Sequence, residues 1–112
     1  MKVAVSADGK TLDSEVSELF GRCAFFLIAK VDGKKILLEK AVENASAGQR
    51  GGAGVSAAQA VVENGAEAVI TGNVGPRARD VFKQFNVTTY KGSGNAKEAL
   101  AKFAAGKLEK IS

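Results

Sequence analysis

The chain has 112 residues, of which 46% are hydrophobic, and a net charge of +4 from 16 Lys and Arg against 12 Asp and Glu. This size and composition predict a single domain, residues 1–112, whose core needs no disulfide or structural metal. The lone cysteine excludes an internal disulfide, and the absence of histidine removes the commonest general base and the commonest metal ligand.

Composition also limits which classes of partner and which cellular compartment we expect. The charges are scattered and aromatic residues make up 6% of the chain, so we expect no nucleic-acid partner. No apolar run approaches the roughly 20 residues of a membrane span, and the N-terminus has no apolar stretch of signal-peptide length. We therefore expect a soluble cytoplasmic protein without a membrane partner.

The first half of the chain predicts three strands. Residues 2–7 alternate in hydrophobicity, and residues 23–31 are apolar on both faces, as in a central strand that is covered on two sides. Asp32-Gly33-Lys34 predicts a hairpin turn into an outer strand over residues 35–43. In that strand Ile36, Leu38 and Val42 are expected to share the buried side.

The second half predicts alternating helices and strands. The Gly-rich loop 44–54 leads into a helix over about 54–64, and strands are predicted over 66–71 and 87–90. The second helix begins at Pro76 with the apolar stripe Ala78, Val81, Phe82 and Phe85, and the last follows Asn95. The order β-β-β-α-β-α-β-α predicts an α/β fold, a five-stranded mixed sheet flanked by three helices.

In such a sheet, ligands bind beyond the carboxyl ends of the parallel strands. Three loops are candidates: Phe20-Gly21-Arg22, the loop 48–54, and the loop 71–75. Two of them end at helix N-termini, which favour anions, and Arg22 and Arg50 add positive charge. This predicts a shallow anion-binding edge, whereas neither loop matches a nucleotide-binding motif. For Gly72 and Gly75 a tight turn is the competing interpretation.

Cys23 is the only cysteine, and two interpretations of it stay open. It is either a small buried residue at the start of a strand or a soft ligand for a metal. A nucleophilic role lacks a histidine to activate the thiol, although Arg22 beside it favours a thiolate. Since the chain also shows no pair of catalytic carboxylates, we expect a protein that is not an enzyme.

Three segments carry a family resemblance: LDSEVSELFGRCAFFLI (12–28), AAQAVVENGAEAVITGNVGPRA (57–78) and VTTYKGSGNAKEALAKFAAGKL (87–108). With them the chain resembles the dinitrogenase iron–molybdenum cofactor biosynthesis family over nearly its whole length. The resemblance implies an RNase H-like fold without nuclease activity. It also implies a carrier that binds iron–sulfur or iron–molybdenum clusters and transfers them during nitrogenase cofactor assembly.

The family's motifs match here at residues 20–22 and at 71–73 with Gly75 and Pro76, while the histidine that relatives often carry before the first helix is missing. A cluster would then be held by Cys23 as metal ligand, by arginines and by backbone N–H groups. The expected cofactor-binding residues are Phe20, Gly21, Arg22, Gln49, Arg50, Gly51, Gly52, Thr71, Gly72 and Asn73.

Two functions follow as hypotheses. The first is a non-enzymatic carrier for an iron–sulfur or iron–molybdenum cluster that works with cluster-assembly proteins, as a monomer or a weak homodimer. The alternative is a regulatory or interaction module that binds a small anion or a protein partner without metal.

Overall fold

The computed structural model describes residues 1–111 and contains three helices and six strands. The strands are β1 (Lys2–Ala7), β2 (Phe25–Asp32), β3 (Lys35–Glu43), β4 (Ala68–Thr71), β5 (Thr88–Lys91) and β6 (Glu109–Lys110). The helices are α1 (Ala53–Glu63), α2 (Pro76–Gln84) and α3 (Ala96–Ala104), and a single 3₁₀ turn covers Phe20–Arg22. None of the helices described is long and apolar enough to cross a membrane.

The strands form one mixed sheet in the order β3-β2-β1-β4-β5-β6. The neighbours β1, β4 and β5 run parallel. Strand β2 is antiparallel to β1, β3 is antiparallel to β2, and β6 is antiparallel to β5. The α/β class and the mixed sheet are confirmed, but the predicted count of five strands is wrong. The sixth strand has only two residues, which pair with Tyr90 and Lys91, so it has no hydrophobic period of its own. The RNase H-like classification stays a prediction.

The sheet separates two cores. On its first face, α1 and α2 pack with the 3₁₀ turn against side chains that include Phe26, Ile28 and Val69. On its second face, α3 packs against side chains that include Val5, Leu27 and Ile70. The residues of β2 alternate between the two cores, which explains why its sequence is apolar on both sides.

A β-bulge divides the outer strand β3. Ile28 pairs with Lys40 and the next residue, Ala29, pairs with Leu38, so Glu39 is an extra residue in the ladder. Beyond the bulge the alternation is reversed: Val42 packs on the first face, whereas Ile36 and Leu38 pack on the second. The prediction that these three side chains share one side is therefore wrong.

The predicted apolar stripe of α2 is wrong in its last member, Phe85. Ala78 and Phe82 are buried, but Phe85 is 54% exposed. The helix ends at Gln84, and Asn86 takes a left-handed conformation at φ 58°, which turns the chain towards β5. Phe85 thus follows the last helical turn and leaves the face that the helix buries.

Candidate functional site

A cleft of about 340 Å³ opens on the first face, where the 3₁₀ turn meets the starts of α1 and α2. Its walls are residues 20–22, 52–55 and 75–78, and we call it the basic cleft because Arg22 and Arg77 are its charged residues. Phe20, which is 1% exposed, anchors the turn through ring contacts with Phe26 and Phe82, at centroid distances of 5.2 Å each. The cleft is therefore built on an aromatic cluster.

Small residues let the three walls approach one another. A Cβ atom added to Gly21 would lie 3.0 Å from both Cα and N of Gly54, so the 3₁₀ turn rests directly on the first turn of α1. A Cβ atom at Gly54 would lie 3.6 Å from Cβ of Ala78, which brings α1 and α2 side by side. Two helix N-termini thereby open into one cleft.

Neither helix start is capped by a side chain of the described residues. The N-cap residues are Gly52 for α1 and Gly75 for α2, neither first turn contains an acidic residue, and Pro76 is the first residue of α2. The N–H groups of a first helical turn have no partner within the helix and point towards its N-terminus. Together with the two helix dipoles they give the cleft a positive potential that favours an anion.

Arg22 connects the cleft to the loop over residues 44–52. Its guanidinium donates hydrogen bonds to the carbonyl oxygens of Ala47 (3.0 Å) and Gln49 (2.5 Å). Gln49 in turn donates from Nε2 to the carbonyl of Gly51 at 2.6 Å. Of the predicted loop residues, Gly52 lines the cleft, whereas Gln49, Arg50 and Gly51 lie in the exposed loop that Arg22 holds beside it.

The predicted residues after β4 lie elsewhere. Thr71 is fully buried, and its hydroxyl accepts a hydrogen bond from Oγ of Ser6 at 2.7 Å. The N–H of Gly72 donates to the carbonyl of Ser17, and the carbonyl of Asn73 accepts from the N–H of Phe20, both at 3.0 Å. These residues position the segment that carries the 3₁₀ turn, and Gly72 and Asn73 line a second depression.

Cys23 lies in the core of the first face and is 1% exposed. Its burial away from water raises the pKa of the thiol to about 12. Nδ2 of Asn44 donates to the backbone carbonyl of Cys23 at 2.9 Å and lies 3.8 Å from its sulfur. Because a thiolate is the form that binds metal, ligation would require this side chain to be uncovered, and the metal-ligand role stays a prediction.

The remaining side chains supply no conventional metal site. Within residues 1–111 no group of three or more His, Cys, Asp or Glu side chains is placed to hold a metal ion. The donors around the basic cleft are instead backbone N–H groups and guanidinium groups. Such donors bind anions by charge-assisted hydrogen bonds and do not form metal–ligand bonds.

Sequence reasoning identified the loops that precede the two helices as parts of one anion-binding edge, but it missed Arg77, the second residue of α2. Pro76 marked the beginning of α2, but nothing in the sequence indicated that α1 and α2 begin side by side. It also missed Asn44, which is 6% exposed and fixes the entry to the Gly-rich loop. Its side chain donates to the carbonyl of Gly21 at 3.2 Å and accepts from the N–H of Ser46 at 3.1 Å. An Asn ahead of a loop of small residues is the available signal for such a turn.

Known proteins share both the sequence and the fold. An uncharacterised protein of Methanocaldococcus jannaschii is 34% identical over 112 residues, which cover 99% of this chain and 92% of that protein. The apo form of the orange protein from Desulfovibrio gigas superposes with a TM-score of 0.89 at 29% identity, covering 99% of this chain and 92% of the other. A candidate NifB protein from Thermotoga gives a TM-score of 0.81 at 33% identity, over 98% and 92% of the two chains.

The family comparison covers almost the entire chain. Residues 1–106 match the family described as dinitrogenase iron-molybdenum cofactor. This match includes the first two segments on which the sequence resemblance was based, the third segment as far as residue 106, and all the residues that line the basic cleft. The chain belongs to the dinitrogenase iron–molybdenum cofactor family.

Proposed function

We propose that the protein is a carrier that binds an anionic metal–sulfur cluster, of iron–sulfur or iron–molybdenum type, in the basic cleft. The cluster is transient cargo, which the protein receives and transfers during the assembly of a metal cofactor. The observation that carries this proposal is the convergence of two uncapped helix starts and Arg22 on one cleft of about 340 Å³. That arrangement offers donors to a compact anion without offering any base or nucleophile for catalysis.

The relatives support the same cargo. The family is described by the iron–molybdenum cofactor, and the orange protein of D. gigas was solved in an apo form, which implies a ligand-bound form of that protein. Sulfide-rich clusters carry negative charge, and helix N-termini and arginines stabilise negative charge. Binding through hydrogen bonds alone suits a carrier, because cargo held without metal–ligand bonds can be released to an acceptor.

The predicted residues have different roles in this proposal. Phe20, Gly21, Arg22 and Gly52 line the cleft and contact the cluster. Gln49, Arg50 and Gly51 belong to the loop that Arg22 holds beside the cleft, and Thr71, Gly72 and Asn73 position the segment that carries the 3₁₀ turn. Cluster-assembly proteins are the partners, in the cytoplasm and without nucleic acid or membrane, and the carrier acts as a monomer or a weak homodimer.

The decisive experiment is anaerobic mixing of the apoprotein with iron–molybdenum cofactor or an iron–sulfur cluster, followed by gel filtration and metal analysis. We expect metal to comigrate with the wild-type protein. In Gly75→Asp the new carboxylate stands at the N-cap of α2, where the backbone angles suit a capping residue and an added Cβ atom meets nothing within 4 Å. This variant should keep its fold and lose at least about tenfold in affinity, because it places negative charge in the cleft.

Two controls locate the site. Gly75→Asn adds a cap without the charge, and it should weaken binding less than Gly75→Asp does. Lys107→Gln lowers the net charge by the same single unit at an exposed residue after α3 and should leave binding unchanged. Absence of comigration in the wild type, or equal comigration in Gly75→Asp, would refute the proposed site.

Cys23→Ala separates the two modes of attachment. If hydrogen bonds hold the cluster, the variant retains the wild-type metal content. Loss of metal from a variant whose amide spectrum still shows a folded core would assign the attachment to the thiolate.

The alternative function, a module that binds a small anion without metal, rests on the same donors. N–H and guanidinium groups bind any compact oxyanion, so the cleft also suits inorganic phosphate. Competition distinguishes the two functions: a carrier should release phosphate when tetrathiomolybdate is added, whereas an anion module should prefer phosphate. The result depends on the cleft alone and requires no partner protein.

A further inference from the structure

A second depression, of about 460 Å³, lies at the carboxyl ends of β4 and β5. The helix that follows β4 packs on the first face of the sheet, and the helix that follows β5 packs on the second face. Neighbouring parallel strands whose connections diverge in this way leave a crevice between them, and ligands of open α/β sheets bind in such crevices. Its volume lies within the range of small-molecule sites.

The walls of this crevice are fixed by hydrogen bonds between three chain segments. The N–H of Val16 donates to the carbonyl of Gly94 at 2.8 Å, and the N–H of Gly72 donates to the carbonyl of Ser17 at 3.0 Å. The N–H of Gly92 completes the ring by donating to the carbonyl of Thr71 at 3.0 Å. The crevice is therefore formed before any ligand arrives.

The nearby start of α3 has no donors to offer to an anion. The Asn95 side chain accepts from the N–H of Glu98 at 2.8 Å, and the N–H groups of Ala96 and Lys97 donate to the loop over residues 12–14 at 2.8 and 2.9 Å. The crevice thus differs in chemistry from the basic cleft, where the first-turn N–H groups are uncapped. Its selectivity has to come from side chains.

Those side chains carry both signs of charge. Glu15 and Glu18 lie on one wall and Lys91 on the other, all three exposed. The ion pairs found among residues 1–111 join Glu39 to two lysines and involve none of these three groups. Leu19, which is 55% exposed, and the small exposed part of Val16, which is 7% exposed, supply the apolar side chains of the lining.

We propose that this crevice binds a small zwitterion of amino-acid size. The ammonium group lies against Glu15 and Glu18, the carboxylate against Lys91, and an apolar stem on Val16 and Leu19. A ligand with both charges is the one that satisfies both walls, because an anion alone meets two carboxylates and a cation alone meets an ammonium group. The site is separate from the basic cleft, so it does not depend on the carrier function.

A matched set of probes tests the proposal on the full-length, metal-free, ¹⁵N-labelled protein. The probes are leucine, isoamylamine, which lacks its carboxylate, and isocaproate, which lacks its ammonium group. We expect leucine to shift the amide signals of residues 15–19, 72–73 and 91–94, and to leave those of 52–55 and 75–78 unchanged. Each single-charge probe should bind about tenfold more weakly, since it loses a hydrogen bond to a charged group.

Substitutions assign each charge. In Lys91→Met, leucine should bind no better than isoamylamine, and in Glu15→Gln with Glu18→Gln it should bind no better than isocaproate. Lys107→Met, which removes an exposed lysine outside the crevice, should keep the wild-type preference. Equal affinities for the three probes in the wild type, shifts that do not localise to the crevice, or a preference that survives both sets of substitutions would overturn the proposal.

Discussion

The two depressions are lined by successive parts of one segment, residues 15–22, yet they differ in chemistry. On the basic-cleft side, α1 and α2 begin with glycine N-caps, and no side-chain cap occupies their first turns. On the other side, the first turn of α3 is bonded to Asn95 and to the preceding loop. The difference teaches that capping decides whether a helix start serves stability or remains available to a ligand.

We expect the largest effect from removing the side chain that anchors the segment over residues 15–22. Phe20→Ala deletes a ring that is 1% exposed and contacts two other rings, so we expect the free energy of unfolding to fall by about 3–5 kcal/mol. Urea unfolding followed by circular dichroism measures it. The adjacent Leu19→Ala, on a side chain 55% exposed, should change it by less than about 0.5 kcal/mol. Similar losses of unfolding free energy in both variants would show that the segment is not anchored by the buried ring of Phe20.

The next effect tests the contact between the segment and β4. In Gly72→Ala the new Cβ atom would lie 2.6 Å from Cα and 2.8 Å from the carbonyl oxygen of Glu18, so backbone must move. We expect a loss of about 1–3 kcal/mol in the free energy of unfolding, with altered binding in the crevice. Gly75→Ala is the matched control, because a Cβ atom there meets nothing within 4 Å. A loss in the control that equals the loss in Gly72→Ala would contradict this account.

The pH dependence of stability tests the burial of Cys23. The folded thiol has a pKa of about 12 against an ordinary value of 9.0, so between these values the unfolded chain has lost a proton that the folded chain keeps. Stability should therefore fall as pH rises above about 9, by on the order of 1 kcal/mol at pH 10. Urea midpoints at pH 8 and pH 10 measure the fall. Cys23→Ala should show a smaller fall, and an identical fall in both proteins would mean that the thiol is not buried.

The smallest effects compare the helix starts directly. Asn95→Ala removes the bond to the N–H of Glu98 and should lower the free energy of unfolding by about 1 kcal/mol. Gly75→Asn adds a cap to α2 and should raise it by a few tenths of a kcal/mol, about the difference between Gly and Asn caps. Thermal and urea unfolding of both variants measure these changes. A higher free energy of unfolding in Asn95→Ala, or a lower one in Gly75→Asn, would contradict the distinction between the capped and uncapped helix starts.

Much of the fold follows from periodicity in the sequence, and the failures have local causes. Residues 23–31 are apolar on both faces because β2 contributes to both cores. The bulge at Glu39 could not be predicted, because an inserted residue reverses the alternation without any residue type that marks it. The strand β6 could not be predicted from the sequence for a different reason. Its two residues form a strand only because they pair with the end of β5.

The candidate site was predicted in its parts and not in its arrangement. The loop with Arg22 was identified from its position after the first strand, and the loop before α1 from its glycines; the structure places Arg22 and Gly52 in one cleft. Arg77 could not be included, since only the packing of α1 against α2 brings it there. Thr71, which ends a strand at the expected edge, is buried and bonded to Ser6, a pairing 65 residues apart in the chain.

The bulge in β3 also bears on how the protein behaves at high concentration. β3 is an edge strand of nine residues, and Leu37 on it is 65% exposed, which are features that invite pairing with the edge of another molecule. Glu39 interrupts the ladder in the middle of the strand, and its carboxylate is held by Lys2 at 3.4 Å and Lys30 at 3.7 Å. A bulge with an ion-paired carboxylate disfavours continuous pairing of this strand with another molecule, so we expect the residue that reverses the packing also to limit edge-to-edge aggregation.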